Sequence, residues 1–311
     1  MSNAAVQIVV VGSYNRDLAL RVDQFPAPGE TRLSLGRAES PGGKGSNQAI
    51  QAARCGAPTA MIAALGQDPA GDEVLSLWSG LRIETDAVVR LSDVATGMAM
   101  ILVDRQAENM IVVDSGANAH LSEHHILAAR PMIEGASLVL AQLETPMAAT
   151  KAAFHLAKQS GVTTLLNAAP ANTALDHPLL ALTDILCVNQ TEGAALSGQS
   201  SPEEIGASLL EMGPAMVILT LGVDGAMLFQ RGQPPLRAHP PAVKAVDTTG
   251  AGDAFIGAFA AQWLLNQDPS AALHFALAAG ALACTGQGAA ASFGNREEIE
   301  RLAASCPARP S

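Results

Sequence analysis

At 311 residues, 49% hydrophobic and 15% charged, the chain can bury a large core, as one big α/β domain or two ordinary ones, and does not read as disordered. Its 29 acidic and 18 basic residues leave a formal net charge of −11, which repels polyanions and argues against nucleic-acid or anionic-membrane partners. A small anion such as a nucleotide is not excluded, because backbone N–H groups bind one without net positive charge.

Four cysteines, Cys55, Cys187, Cys284 and Cys306, lie far apart and form no C-x-x-C pair, which implies a reducing compartment and not a disulfide framework. No apolar run reaches spanning length, and no basic segment leads into an apolar one at the N-terminus. The expectation is a soluble, cytoplasmic protein.

The first strong element is residues 6–11, a nearly unbroken apolar run stopped by Gly12-Ser13, which suits a strand buried on both faces. Two stretches, 18–21 and 31–35, then alternate apolar with polar around Phe25-Pro26-Ala27-Pro28-Gly29. A helical pattern follows at 46–54, a strand at 59–64 and a helix at 73–78. Residues 97–103 and 109–113 make a second hairpin-like pair around Asp104-Arg105-Gln106. Beyond it, helices at 122–129, 146–159 and 202–211 interleave with strands at 137–141, 163–166, 185–188 and 216–220. Two long apolar helices, 252–265 and 270–284, come last.

This alternation predicts an α/β fold, a doubly wound, mainly parallel sheet flanked by helices. The two half-exposed strand pairs predict a small separate β-sheet lid of residues 14–40 and 95–113, set on an α/β domain of residues 1–13, 41–94 and 114–311. His120, His124 and His125 are discounted as a metal site, because Ser122 reads as a helix N-cap and leaves His120 outside the helix.

Three segments carry chemistry. In Ala245-Val246-Asp247-Thr248-Thr249-Gly250-Ala251-Gly252-Asp253, a strand ends, glycines turn the chain, and a helix begins near Gly252. Free N–H groups at that start make a site for a developing anion, with Asp253 beside it, positioned to deprotonate an alcohol. The plainer alternative is that Asp253 only complements the helix dipole. Ser40-Pro41-Gly42-Gly43-Lys44-Gly45-Ser46-Asn47-Gln48-Ala49 is not a Walker A loop, since Gly45 stands where Ser or Thr should follow the lysine. Lys44 and Asn47 suit hydroxyls brought close by bare glycine backbone, although a tight turn into a helix would read the same way. Tyr14-Asn15-Arg16-Asp17 lies past the first strand's carboxyl end, where ligands of open α/β sheets bind; alone, Asn15 and Asp17 are as readily turn formers.

Together with Gly12-Ser13, Ser115-Gly116-Ala117-Asn118-Ala119, Gln142-Leu143-Glu144-Thr145-Pro146, Val188-Asn189-Gln190-Thr191-Glu192 and Leu219-Thr220-Leu221-Gly222, these segments run in one order from about residue 6 to 300. In that series the sequence resembles the ribokinase family of phosphofructokinase-B-like carbohydrate kinases. The resemblance implies a sugar site of Asn15, Asp17, Gly43, Lys44, Asn47 and Glu144, with Asp253 as general base and Gly250, Ala251 and Gly252 as the anion hole. It implies that Asn189 and Glu192 organise Mg²⁺ and the phosphates of ATP, Glu192 through water, and that Thr220, Gly222 and Gly225 line the nucleotide together with Gly252. It further implies a monovalent cation, potassium, held by Asp247 with the carbonyls of Thr249, Ala283, Gly286 and Gly288 and with Ser292 nearby. The two hairpins match the family's lid, which also serves as a homodimer interface. Leu277 departs from the His or Asn that relatives often place near the adenine, and Asn167-Ala168-Ala169-Pro170 replaces Asn-Pro-Ala-Pro. The expected reaction is transfer of the ATP γ-phosphate to a primary hydroxyl of ribose. The alternatives are a kinase for deoxyribose, a keto sugar acid or a nucleoside, or a non-catalytic sugar sensor.

Overall fold

Ile8–Val11 is apolar and fully buried at all four positions, as a strand covered on both faces requires. It is β1 of a computed structural model that describes residues 6–106, 108–171, 175 and 177–305; Met1-Ser2-Asn3-Ala4 and Cys306 lie outside these. The strands that follow are β2 (Asn15–Arg21), β3 (Gly36–Gly42), β4 (Thr59–Ile62), β5 (Ala64–Gly66), β6 (Val89–Leu91), β7 (Met98–Val103) and β8 (Asn109–Asp114). After them come β9 (Leu138–Ala141), β10 (Thr163–Asn167), β11 (Ile185–Asn189), β12 (Met216–Thr220), β13 (Ala226–Gln230) and β14 (Leu236–Ala238).

Eight strands form the main sheet in the order β14-β13-β12-β11-β10-β9-β1-β4. From β12 to β4 every pairing is parallel, while β13 and β14 return antiparallel at one edge. The chain leaves β1 for β4 on one side and comes back to β9 on the other, so the strand order reverses between β1 and β9. At such a switch point the loops diverge and leave a crevice at the strands' carboxyl ends. The turns entering that crevice are Gly12–Ser13 and Gln142–Glu144.

Helices cover both faces. Ile50, Trp78, Phe255, Phe259 and Leu273 pack on one side, and Ile126, Phe154 and Leu209 on the other. The helices Ala251–Asn266 and Pro269–Ala283 are apolar nearly all round, because each is sandwiched between other elements. Ala251–Asn266 also crosses the helix Lys44–Arg54 at Gly257, where an added Cβ would stand 2.4 Å from the Gln48 carbonyl oxygen. Only a residue without a side chain allows that approach, and it brings together two helices some two hundred positions apart in the chain. Ser122 is the N-cap of the helix Glu123–Ala128, and His120 lies outside it in the short 3₁₀ helix Gly116–His120.

A second sheet has the order β3-β2-β7-β8. Two expectations are corrected here: no strand leads into the Gly250 turn, residues 239–248 being irregular, and residues 31–35 are not a strand, β2 pairing instead with Gly36–Gly42 in the register Asn15↔Gly42 through Arg21↔Gly36. The pairing is anchored at its far end. Gly43 takes φ +84°, and a Cβ on it would lie 2.7 Å from the Asn15 nitrogen. Pairing therefore starts where the backbones touch and runs out by Gly36, leaving Leu33 exposed. Pro41, which lacks an N–H, is tolerated because β3 is an edge strand. The pair β5–β6 and the antiparallel β13 and β14 were not anticipated; they are short, although Asp224-Gly225 before β13 and Gly232 with Pro234-Pro235 after it are turn signals.

Candidate active site

At the switch point the backbone and side chains of three loops interlock. Ser13 Oγ donates to Glu144 Oε2, which also accepts the Lys44 N–H at 2.9 Å. Asn118, buried, donates from Nδ2 to the Tyr14 carbonyl and to Asn15 Oδ1, each at 2.9 Å, and accepts the Tyr14 N–H at 3.0 Å. With its oxygen thus occupied, Asn15 has its amide N–H₂ left to donate. Gly42 is as tightly constrained as its neighbour, since a Cβ there would sit 2.3 Å from the Asp17 carboxylate oxygens.

Asp253 is buried in the first turn of the helix Ala251–Asn266. Its Oδ2 accepts from Asn47 Nδ2 and its Oδ1 from Gln48 Nε2, both at 2.9 Å. Burial pushes its pKa up; Lys44 and the two amides pull it back, and the Glu144 charge adds to the rise. Asp17 is pushed up to about 7, first by burial and then by the negative charges of Glu144 and Asp253. Asn15, Asp17, Gly43, Lys44, Asn47, Glu144 and Asp253 therefore converge as expected. Asn47 Oδ1 is buried without a hydrogen-bond partner among the described residues, which fits a polar ligand at this place.

Beside Asp253 lies a cavity of about 150 Å³, lined among others by Lys44, Asn189, Glu192, Gly250 and Gly252. Gly250 adopts φ +76° as the helix N-cap. The Ala251 N–H, expected among the anion donors, is instead taken by the Thr248 carbonyl at 3.2 Å. That tight turn leaves Gly252 and Asp253 as the first-turn amides for which an α-helix supplies no partner. Asn189 and Glu192 form a reciprocal capping box, Asn189 Oδ1 accepting the Glu192 N–H at 2.8 Å and Glu192 Oε2 the Asn189 N–H at 2.9 Å. Burial raises the pKa of Glu192, while the Asn189 N–H and Lys44 oppose that.

Thr220 and Gly252 also line a second cavity of about 480 Å³. Gly222 and Gly225 are on its wall, with Val243, Phe255 and Leu277 making it apolar. Behind the turn, Asp247 Oδ1 accepts from the Thr249 N–H (2.9 Å) and hydroxyl (2.7 Å), and Oδ2 from the Gly288 N–H (2.8 Å). Partial burial raises its pKa, but these hydrogen bonds outweigh that and the net shift is downward. The Asp247 N–H donates to the Cys284 carbonyl at 3.3 Å, and a Cβ on Gly286 would lie 2.8 Å from Ser292 Cβ. The segments holding Asp247, Thr249, Ala283, Gly286, Gly288 and Ser292 are thus neighbours.

A model of the pfkB family of carbohydrate kinases matches residues 6–296. The chain belongs to that family. It is 38% identical to a ribokinase of Staphylococcus aureus over 95% of its own length and 99% of the relative's, and 34% identical to a deoxyribokinase of Salmonella typhi over 94% and 97%. The structure of an Arabidopsis thaliana ribokinase complexed with ribose and ATP superposes with a TM-score of 0.89 at 30% identity, covering 96% of this chain and 99% of that one. The carbohydrate-kinase fold and enzyme class are those the sequence motifs implied.

The residues that motif reading did not single out are the supports: Ser13, Gly42, Gln48, Asn118, Gln142 and Asn167. All but Asn167 fall within the stretches that carried the resemblance, so a buried-polar reading of those stretches would have found them.

A pKa of about 7 on Asp17 has a consequence for stability. An aspartate ionises near 3.9 in the unfolded chain, so the folded state binds more protons between about 4 and 7. The stability that this group contributes is complete below pH 4 and is lost as pH rises through 7. Asp17→Asn removes the liability. It should raise the unfolding free energy at pH 8 by on the order of 1–2 kcal/mol, and by less at pH 5. Urea titrations at the two pH values check this, and an equal effect at both would show that Asp17 ionises normally.

Proposed function

We propose that this chain transfers the γ-phosphate of ATP to the primary hydroxyl of ribose, giving ribose 5-phosphate and ADP. The observation that carries the reading is the place of Asp253. Its buried carboxylate stands between the hydroxyl-matching groups Asn15, Asp17, Lys44, Asn47 and Glu144 and the small cavity at the helix start. In the reaction the sugar hydroxyl gives its proton to Asp253, its oxygen bonds to the γ-phosphorus, and the bond from that phosphorus to the bridging oxygen of ADP breaks. The amides of Gly252 and Asp253 face the negative charge that develops on the transferred group. The adenine takes the apolar cavity beside Leu277. Similarity to a deoxyribokinase keeps deoxyribose as the nearest rival substrate, and a keto sugar acid or a nucleoside follows. A sugar sensor would not need a buried base beside helix N–H groups.

The small cavity offers oxygen donors, Glu192 and Asn189, with room beyond them, which fits a Mg²⁺ ion that keeps several waters. When bound with ATP it neutralises phosphate charge. Potassium fits Asp247. Of the four lone-pair sites on its carboxylate, three are taken by Thr249 and Gly288, leaving one for a cation shared with nearby backbone carbonyls. Such an ion would stiffen the turn that leads into Gly250–Gly252.

The small sheet closes over the sugar as a lid and pairs with a second copy. Every residue of β8 is exposed, including Met110, Ile111, Val112 and Val113, and an open apolar edge of that kind needs cover. A cytoplasmic site of action agrees with the free thiols of Cys55, Cys187 and Cys284.

Asp253→Asn should lower kcat with ribose and ATP by on the order of 10²–10⁴ while the KM for ribose changes much less. Near-normal turnover in a folded variant would reject Asp253 as the base. For the cation, turnover measured in potassium, sodium, caesium and tetramethylammonium at fixed ionic strength should be highest in potassium, and Asp247→Ala should erase the difference. Equal rates in all four would remove it. Light scattering at micromolar concentration should report a dimer, converted to monomer by Val112→Asp together with Ile111→Asp. A monomeric wild type would end the dimer proposal.

A further inference from the structure

Gln48 is fully buried, lines neither of the two cavities described above, and ends on the proposed base. Its Nε2 donates to Asp253 Oδ1 at 2.9 Å and to Asn167 Oδ1 at 3.0 Å, so both amide protons are spent. Its Oε1 accepts from Gln142 Nε2 at 2.7 Å. Asn167 in turn donates from Nδ2 to the Cys187 carbonyl at 3.3 Å.

The direction of this chain of amides is forced. A backbone carbonyl cannot donate, so at Cys187 it must meet the N–H₂ of Asn167, which turns Asn167 Oδ1 toward Gln48. Gln48 must then answer with its nitrogen, and Gln142 presents its own nitrogen to the oxygen left over. Gln142 Oε1 is left buried with no partner among the described residues, pressed against Gly12, where a Cβ would lie 2.4 Å away. An unpaired buried oxygen is costly, and it persists here because the rest of the network fixes the amide. The network spans the crevice from β9 and β10 to the helix Lys44–Arg54, and the contact at Gly257 locks that helix against the one bearing Asp253.

We propose that Gln48 is a positioning residue for the phosphoryl transfer, holding the Asp253 carboxylate ionised and aimed, with Gln142 and Asn167 fixing Gln48 for that task. The proposal rests on the kinase reading above. Around Asp253 stand Lys44 and Asn47 from the same helix as Gln48, Glu144 from the loop after β9, and Asp17 from β2, while Glu192 lines the shared cavity. Two of these, Lys44 and Asn47, favour the charged carboxylate; Asp17 and Glu144 oppose it. Gln48 is the second amide donor to the carboxylate. Unlike Asn47, whose Oδ1 has no partner among the described residues, Gln48 spends its whole amide inside the protein, so removing it changes the base and leaves the sugar's own contacts in place.

The experiment is the pH dependence of kcat and of the sugar KM for wild type, Gln48→Met and Gln142→Met, with ¹³C NMR titration of the Asp253 carboxyl in each. Met matches Gln in length and cannot donate. For Gln48→Met the acid limb of kcat should move up by about one pH unit, so that kcat falls by up to about tenfold on the acid side of the limb and recovers on the alkaline side. The sugar KM should stay within about threefold of wild type. Gln142→Met should shift the limb in the same direction by less. A folded Gln48→Met with an unmoved acid limb, or with kcat lowered equally at all pH values, overturns the proposal. If Gln48→Met does not fold, the same criteria apply to Gln142→Met. Should wild type turn over no sugar, the kinase reading fails by itself. The carboxyl titration still decides the Gln48 role, an unshifted Asp253 signal in the variants overturning it.

Discussion

A carboxylate with almost no access to water stands where two helices from opposite ends of the chain meet, and it must stay charged to act as a base. Burial alone drives it toward the neutral acid. Opposing that are one ammonium and two amides, all three carried by the helix Lys44–Arg54 within a single turn. Most of the surrounding architecture serves this arrangement. Gly257 lets the helices touch, Gly43 lets β2 and the helix start approach, and Glu144 ties the Lys44 backbone to the loop after β9.

The charge pattern has a second consequence. Among the described residues lining the small cavity, Lys44 is the one cation, and it faces Asp253 and Glu192. In a chain of net charge −11, a nucleotide triphosphate entering here meets more carboxylate than ammonium. Helix-start amides supply part of the missing positive potential, and a phosphate-bound metal ion would supply the rest. In the proposed reading the base end of the nucleotide needs no such help. The cavity proposed for it is walled largely by apolar groups such as Val243, Phe255 and Leu277, so contact there would be mostly burial of apolar surface.

The main sheet was legible because its strands are buried on both faces and so appear as unbroken apolar runs between helical patterns. The site was legible because its turns need glycines at Gly43, Gly250 and Gly252 next to groups, Lys44 and Asp253, that make chemical sense there. What escaped reading depended on pairing across distance. Residues 31–35 alternate like a strand, yet β3 starts after them, since its register is set by contact between Gly43 and Asn15 and not by its own sequence. The Ala251 amide looked free until the turn back to Thr248 claimed it. Gln48 and Gln142 counted only as letters of a motif and Asn167 as part of a variant turn; burial against one another is what suggests a role for them.

The most direct measurement is ADP release with ribose, deoxyribose, fructose, keto-deoxy sugar acids and nucleosides, followed by ³¹P–¹³C NMR of the product. Ribose should give the highest kcat/KM, with phosphate on the primary hydroxyl. No stimulation by any of these compounds would contradict catalysis at Asp253, and a clear preference for another acceptor would contradict ribose as the substrate.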